Sequence, residues 1–300
     1  MSPEFRAGGT DLSERRRSGV SRGAVLDIAP EAAPAGIWAE PHGGLRLGAL
    51  TTIAALAADP VLRAGYPGLA AAASGLATPQ IRRVATLGGN LAQRNRCWYF
   101  RNPDFACLKK GGEGCPARDG NALYAVVFDH APCVAPHPST LAAALIAYDA
   151  RLDTDQRRGL GVAEALGDGS SATSETALGG SELIVSVALP PPIAGEKAAY
   201  KRAIGRAHAE WPLVELVVSA VIEAGRFSRL RIVAGGVAPV PIRLIAAEAV
   251  ALGRPALPET FVAAAAAAAD GANPLPQAAY KLDLLRGLAH DLLETVSRPG

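Results

Sequence analysis

Between residues 91 and 138 the regular apolar spacing of this chain stops, and all four of its cysteines, Cys97, Cys107, Cys115 and Cys133, fall inside the gap. No other feature constrains the fold as much. The segments on either side must close a core across an insertion rich in Gly, Lys and Arg that brings little apolar surface of its own. The stretch RNRCWYFRNPDFACLKKGGEGCPARDG (94–120) carries three of the thiols. Their spacing, C-x9-C-x7-C-x17-C, lacks the paired C-x2-C knuckles of a zinc ribbon and the tight C-x2-C-x2-C run of a ferredoxin. Disulfides are open on number alone, although a reducing compartment would not normally sustain them.

The flanking chain has ample core-forming material. At 300 residues and 49% hydrophobic content it exceeds what one ordinary core needs and predicts two domains. A net charge of only +2 argues against a general nucleic-acid binder, and Arg15, Arg16 and Arg17 read as a helix surface or loop. No apolar run approaches the roughly twenty residues of a membrane span, the alanine tract 263–269 included. The start MSPEFRAGGTDLSERRR has no apolar signal core, so the chain is expected to carry no secretory signal of its own.

LRLGAL (45–50) reads as a strand and TTIAALAADPVL as a helix capped by threonine, with a second helix over 67–77. SELIVSVAL (181–189) is a strand, and PPPIAGEK marks a boundary between residues 1–192 and a second unit, 195–300. There, LVELVVSAVIEAG and LRIVAGGVAP read as strands joined at AGRFSR, and 243–253, 258–270 and 277–296 as helices. The fold class is α+β.

Two glycine pairs carry the first chemical signal. AGGTDL (7–12) and TLGGNL (86–91) each set Gly-Gly beside a hydroxyl and an acid or amide. Such turns let backbone N–H groups approach an anion, and two of them could clamp the diphosphate of a dinucleotide. Ordinary turns are the plainer alternative. Neither matches the G-x-G-x-x-G fingerprint of nicotinamide folds. His130, His137 and His208 form no H-x-x-x-H pair, and Trp211 is expected to anchor the sheet of the second unit.

RAGGTDL, LRLGALTTIAAL, IRRVATLGGNLAQ, AYKRA and YKLDLLRGL occur here in the order found in the FAD-binding medium subunit of molybdenum hydroxylases, the xanthine dehydrogenase and carbon monoxide dehydrogenase family, which the chain resembles over nearly its whole length. The resemblance implies a PCMH/VAO-like FAD-binding domain of two α+β subdomains followed by a smaller C-terminal α+β domain. It implies that Ala7, Gly8, Gly9, Thr10, Asp11 and Leu12 line one side of the FAD diphosphate and ribityl region, and that Thr86, Gly88, Gly89, Asn90 and Gln93 form a second loop. Ile184 and Lys201 would lie near the flavin. Thr140 stands where the family often has an acidic residue that bonds the ribose. Members usually carry a strand and helix ahead of the first glycine motif, whereas only MSPEF precedes Arg6; either the start is shortened or a neighbouring chain covers that surface.

The cysteine stretch resembles the cluster insertion of the flavin subunit in periplasmic-type aldehyde oxidoreductases, and a related insertion occurs in the 4-hydroxybenzoyl-CoA reductase flavin subunit. It implies a [4Fe–4S] cluster held by Cys97, Cys107, Cys115 and Cys133, with Lys109, Lys110 and Arg118 offsetting its charge and Tyr99, Phe100 and Phe105 shielding it. The partners implied are a large subunit with the molybdenum cofactor and a small subunit with two [2Fe–2S] clusters, in a heterotrimer that is cytoplasmic, or periplasmic by export with a signal-bearing partner. The chain would then pass electrons from partner clusters through FAD to an external acceptor. The competing expectations are an iron–sulfur or zinc scaffold without flavin chemistry, and a self-sufficient flavin oxidase.

Overall fold

A computed structural model of the chain describes residues 3–205 and 209–298, so His208 lies outside the described residues. The chain opens with two short parallel strands, β1 (Glu4–Arg6) and β2 (Val25–Asp27), joined through helix α1 (Leu12–Arg17). After β3 (Ile37–Ala39) and β4 (Leu45–Gly48) come five short helices, α2 (Ile53–Ala58), α3 (Pro60–Gly65), α4 (Pro67–Gly75), α5 (Pro79–Val84) and α6 (Leu87–Leu91). The single helix expected from TTIAALAADPVL is split in two. Pro60 has no N–H to continue the ladder and holds Asp59 extended, so Asp59 ends α2 and caps α3 by accepting from the Leu62 N–H at 2.8 Å. The threonine cap itself is as expected, with Thr52 Oγ1 accepting from Ala55 N–H.

The insertion contains one turn of α-helix, α7 (Trp98–Arg101), a 3-10 turn over Leu108–Lys110, and otherwise loops. Then follow α8 (Thr140–Ala147), β5 (Arg151–Thr154), β6 (Leu160–Gly161), α9 (Val162–Leu166) and β7 (Ile184–Leu189). Strands β3-β4-β7-β5-β6 form an antiparallel sheet in that spatial order.

The second half begins with β8 (Lys197–Ala203), β9 (Val214–Glu223), β10 (Arg226–Gly235) and β11 (Ile242–Arg243), an antiparallel sheet ordered β11-β10-β9-β8. The turn between β9 and β10 is the pair Ala224-Gly225, both at positive φ, as a two-residue hairpin of matching twist requires. Helices α10 (Ile245–Ala251), α11 (Pro258–Ala267) and α12 (Lys281–Ser297) follow.

β9 is covered on both faces, which explains its unbroken apolar run. Leu216, Val218 and Ala220 join a core under α10 to α12, while Val217 and Val233 complete the core of the first half beside α4 and α8. The proline-rich connection separates the two sheets along the chain, but their packing is shared.

The insertion differs from expectation in having a small core of its own. Ala117, Ala122, Ala125, Val126 and Val134 are buried together with Ala278 from the C-terminal half. Short side chains let loops without regular structure approach closely, a pattern that leaves no periodic signal.

Candidate functional site

The two glycine motifs meet in space. At Gly8 a Cβ would overlap the carbonyl oxygen of Val84, just ahead of the second motif, and Gly9 adopts φ +68°, so both positions of the first pair require glycine. The second motif forms the short helix α6. Thr86 caps it, accepting from Gly89 N–H at 3.2 Å, and Gly88 N–H donates to the Ala49 carbonyl at 2.9 Å. A Cβ on Gly88 would lie 3.0 Å from that of Ala49.

The loops are chemically unequal. In the second, the N–H groups of Leu87, Gly88, Gly89 and Asn90 are taken by Thr51, Ala49 and Thr86. In the first, the N–H groups of Gly8, Gly9 and Thr10 donate to nothing among the described residues, and they lie at least partly exposed. Free N–H groups in a glycine turn are what an anionic diphosphate needs.

Asp11 is not a free ligand. Its carboxylate pairs with Arg101 at 2.7 Å, Arg96 at 3.0 Å and Arg15 at 3.1 Å, and accepts the Arg94 backbone N–H at 3.1 Å. Burial alone would raise this carboxyl, but Arg96, Arg101 and Arg15 outweigh it and hold it below the usual range. Arg15 also pairs with Glu4, so the expected surface arginine run contains one clamped member. Ala7 lies beside the free turn and Leu12 is buried in α1.

Asn90 and Gln93 are both buried and serve the scaffold. Asn90 Oδ1 accepts from Ser139 Oγ at 2.7 Å, and Gln93 Nε2 donates to the carbonyls of Asn90 at 2.8 Å and Pro138 at 3.3 Å. Thr140, the first residue of α8, donates to Glu215 Oε2 at 2.8 Å, and Tyr200 donates to the same oxygen at 2.8 Å. Burial pushes the Glu215 carboxyl up despite these donors. The sequence reading missed Glu215: it sits in the apolar run of β9, where an isolated acid was a signal left unused. Ile184 is buried in β7 opposite Thr154. Lys201 pairs with Leu216 in the sheet register, so it lies on the α12 face of β8, opposite Tyr200, and ion-pairs with Asp291. The structure thus joins the second loop to the start of α8 through Asn90, Gln93 and Ser139, holds the first loop beside it through Gly8 and Asp11, and sets Lys201 on another face.

All four cysteines line one small cavity, together with Tyr99, Phe100 and Lys109. They are free thiols. Cys115 and Cys133 interact directly, which drives the Cys115 thiol down and, together with burial, that of Cys133 up. Backbone N–H groups of Val134 and Ala117 approach Cys115, that of Ala135 approaches Cys133, and those of Phe100 and Tyr99 approach Cys97. Among the described residues no group of three or more His, Cys, Asp or Glu side chains is arranged to hold a metal ion. The thiols surround a space instead of closing on a point.

The basic residues around them are all engaged, although Arg118 is exposed. Lys109 is buried against Glu175 at 3.7 Å and donates to the carbonyls of Ser171 and Ser174, Lys110 donates to the Tyr99 and Asn102 carbonyls, and Arg118 forms a bidentate pair with Asp129. Tyr99 meets Phe105 edge-on at 5.0 Å. Trp211 does not anchor its sheet: it is 44% exposed, with the Arg96 guanidinium over its ring at 4.2 Å. Pro212 breaks the chain just ahead of β9 and turns the indole outward.

Residues 3–192 match the family described as the FAD binding domain in molybdopterin dehydrogenase, and residues 198–296 the CO dehydrogenase flavoprotein C-terminal domain. The chain is 38% identical over 261 residues to the aldehyde oxidoreductase FAD-binding subunit PaoB of Escherichia coli (strain K12), covering 84% of this chain and 78% of that protein. It is 27% identical over 264 residues to the xanthine dehydrogenase FAD-binding subunit of Escherichia coli O157:H7, covering 83% and 72%. Among solved structures, a carbon monoxide dehydrogenase chain from Hydrogenophaga pseudoflava superposes with a TM-score of 0.74 at 25% identity, over 97% of this chain and 88% of that one. These matches span both halves and do not favour a scaffold without flavin chemistry. The chain belongs to the FAD-binding subunits of the molybdopterin dehydrogenase family, with the mixed helix-and-sheet architecture of a CO dehydrogenase flavoprotein.

Proposed function

We propose that this chain is the electron-exit subunit of a molybdenum-containing aldehyde oxidoreductase, working beside a large subunit with the molybdenum cofactor and a small subunit with two [2Fe–2S] clusters. The observation that carries this reading is the 38% identity to an aldehyde oxidoreductase FAD-binding subunit across most of both chains. FAD, when bound, supplies interconversion between one-electron and two-electron transfer. The residues suit it: the free N–H groups of Gly8, Gly9 and Thr10 would hold the diphosphate, with Ala7 and Leu12 setting the turn. Asp11 fixes that turn to the insertion through Arg15, Arg96 and Arg101. Gly88 lets α6 close against Ala49, just past the end of β4, and Thr86, Gly89, Asn90 and Gln93 brace the opposite wall. Thr140 presents Glu215, so a carboxyl stands behind the hydroxyl where the ribose would bond. Ile184 would back the flavin, whereas Lys201, on the α12 face and paired with Asp291, stands apart from these loops.

The chemistry of the four thiols fits a [4Fe–4S] cluster. Cys97, Cys107, Cys115 and Cys133 line one cavity, backbone N–H groups point at three of the sulfurs, and Lys109 stands beside them. A structural staple is favoured over a relay, because the insertion bonds both halves of the chain. Anaerobic absorption spectra with flavin, iron and sulfide quantitation test the reading. Non-covalent FAD with about four irons per chain is the expected result. Cys115→Ser is expected to lose iron and keep FAD. Flavin without iron in the wild type would remove the cluster, and a folded chain that takes up no flavin would remove the electron-exit role.

A further inference from the structure

Asn95 and Lys109 line the four-thiol cavity beside the cysteines, and one carboxylate stands behind both. Asn95 comes two residues before Cys97, and its Oδ1 accepts the Cys97 N–H at 3.0 Å, an Asx turn that sets the backbone carrying that thiol. Asn95 Nδ2 donates to Glu175 Oε1 at 2.7 Å, which keeps the amide from turning away from Cys97. Lys109 comes two residues after Cys107. Its side chain is 6% exposed, it donates to the Ser171 carbonyl at 2.9 Å and to that of Ser174, and its ammonium lies 3.7 Å from Glu175 Oε2.

Glu175 belongs to the loop between α9 and β7, outside the insertion, and its side chain is 9% exposed. Its two oxygens have separate tasks. Oε1 serves the Arg94–Asn95 turn, accepting also from Arg94 Nε at 3.1 Å and the Asn95 N–H at 3.3 Å, and Oε2 faces Lys109. Burial would raise this carboxyl, but Arg94 and Lys109 outweigh it and hold it below the usual range. The same loop fixes the two cations through its backbone, with Arg94 donating to the Thr173 carbonyl at 3.2 Å as Lys109 does to Ser171 and Ser174.

We infer that Glu175 is a positioning residue for the four-thiol centre: one oxygen holds the turn that presents Cys97, and the other opposes the Lys109 charge at the cavity wall. This role rests on the [4Fe–4S] reading of the thiols. Outer groups of this kind orient the ligands of a metal centre and tune its charge, and an unopposed cation beside a cluster favours the reduced, more negative state. In Glu175→Gln, Lys109 keeps its two carbonyl partners and an amide oxygen still accepts from Asn95, so the charge is lost and the bonds remain.

The test uses the full chain under anaerobic conditions and reads iron content, the rate of iron loss to a chelator, and the cluster midpoint from a dithionite titration followed by electron paramagnetic resonance. Glu175→Gln is expected to keep about four irons per chain with a raised midpoint, and Lys109→Met to lower the midpoint. Glu175→Ala, which also releases Asn95, is expected to lose iron about tenfold faster, with Glu175→Asp restoring retention. A purely structural residue would not move the two midpoints in opposite directions. Iron-loaded variants with the wild-type midpoint, or a Glu175→Ala chain that holds iron as firmly as wild type, would overturn the role; if Glu175→Gln does not fold, the Lys109→Met midpoint decides. Wild type that binds flavin but no iron would instead remove the cluster reading itself, and this role with it.

Discussion

Gly8 and Gly89 look alike in the sequence and differ in the structure. A Cβ on Gly8 would overlap backbone that cannot swing aside, whereas one on Gly89 would meet only Thr86 Oγ1 at 3.0 Å. Gly8→Ala is expected to destabilise the chain by about 2 kcal/mol and to lower flavin occupancy, with Gly89→Ala changing stability by less than about 1 kcal/mol; urea unfolding and the flavin-to-protein ratio check both. His137 belongs to this scale too. Burial pushes its imidazole down to about 4, with Glu175 raising and Lys109 lowering it slightly. The unfolded chain takes up that proton near pH 6.5 and the folded chain resists it. Stability from this group is therefore complete above pH 6.5 and falls as the pH drops toward 4, by about 3 kcal/mol in all. His137→Leu is expected to flatten the dependence of the urea midpoint on pH across that window.

At the scale of elements, α8 organises the first half. All eight of its residues are buried, and Ser139 ties it to the second glycine loop by capping Ala142 N–H at 3.1 Å while donating to Asn90. Ser139→Ala removes the cap and leaves Asn90 Oδ1 with only a long bond to Leu141 N–H, at 3.4 Å. A loss of about 2 kcal/mol is expected in chemical denaturation. The helix was legible from its apolar residues, and so were β9, β10 and α12. The short pieces β1, β2, β3 and β6 were not, because two or three residues carry no periodicity. The break at Pro60 was legible in principle, since the residue before a proline is driven out of the helical region.

Across the whole molecule the insertion acts as a bridge. Asp11 holds its first segment through Arg96 and Arg101, and Glu175 holds Arg94, Asn95 and Lys109. On its far side Val127 enters the second core, the N–H groups of Val127 and Phe128 donate to the Val237 carbonyl, and Gln277 and Tyr280 bond the loop at 120–123. Asp11→Asn would remove the carboxylate that Arg15, Arg96 and Arg101 share and leave them only Glu4 and Glu14, a loss of about 2 kcal/mol, read as faster hydrogen exchange over 94–101. Because the Asp11 carboxyl is held below its usual range, its contribution is present above the ordinary carboxylate pKa and lost as pH falls through the depressed value. The gap between wild type and Asp11→Asn should therefore narrow in acid.

The amino-acid order alone determined the α+β class, the position of the insertion, the pair of glycine turns and the concentration of thiols, because periodicity, turn chemistry and residue type are local properties. Only the tertiary structure decided which of those residues are free to act. It engaged Asp11, Asn90 and Gln93 in the scaffold and left the N–H groups of Gly8 to Thr10 open. It turned Lys201 to the α12 face and drew four thiols from positions 97 to 133 around one space. Those outcomes depend on hydrogen bonds and ion pairs between residues as many as 90 positions apart, whose partners no local pattern names.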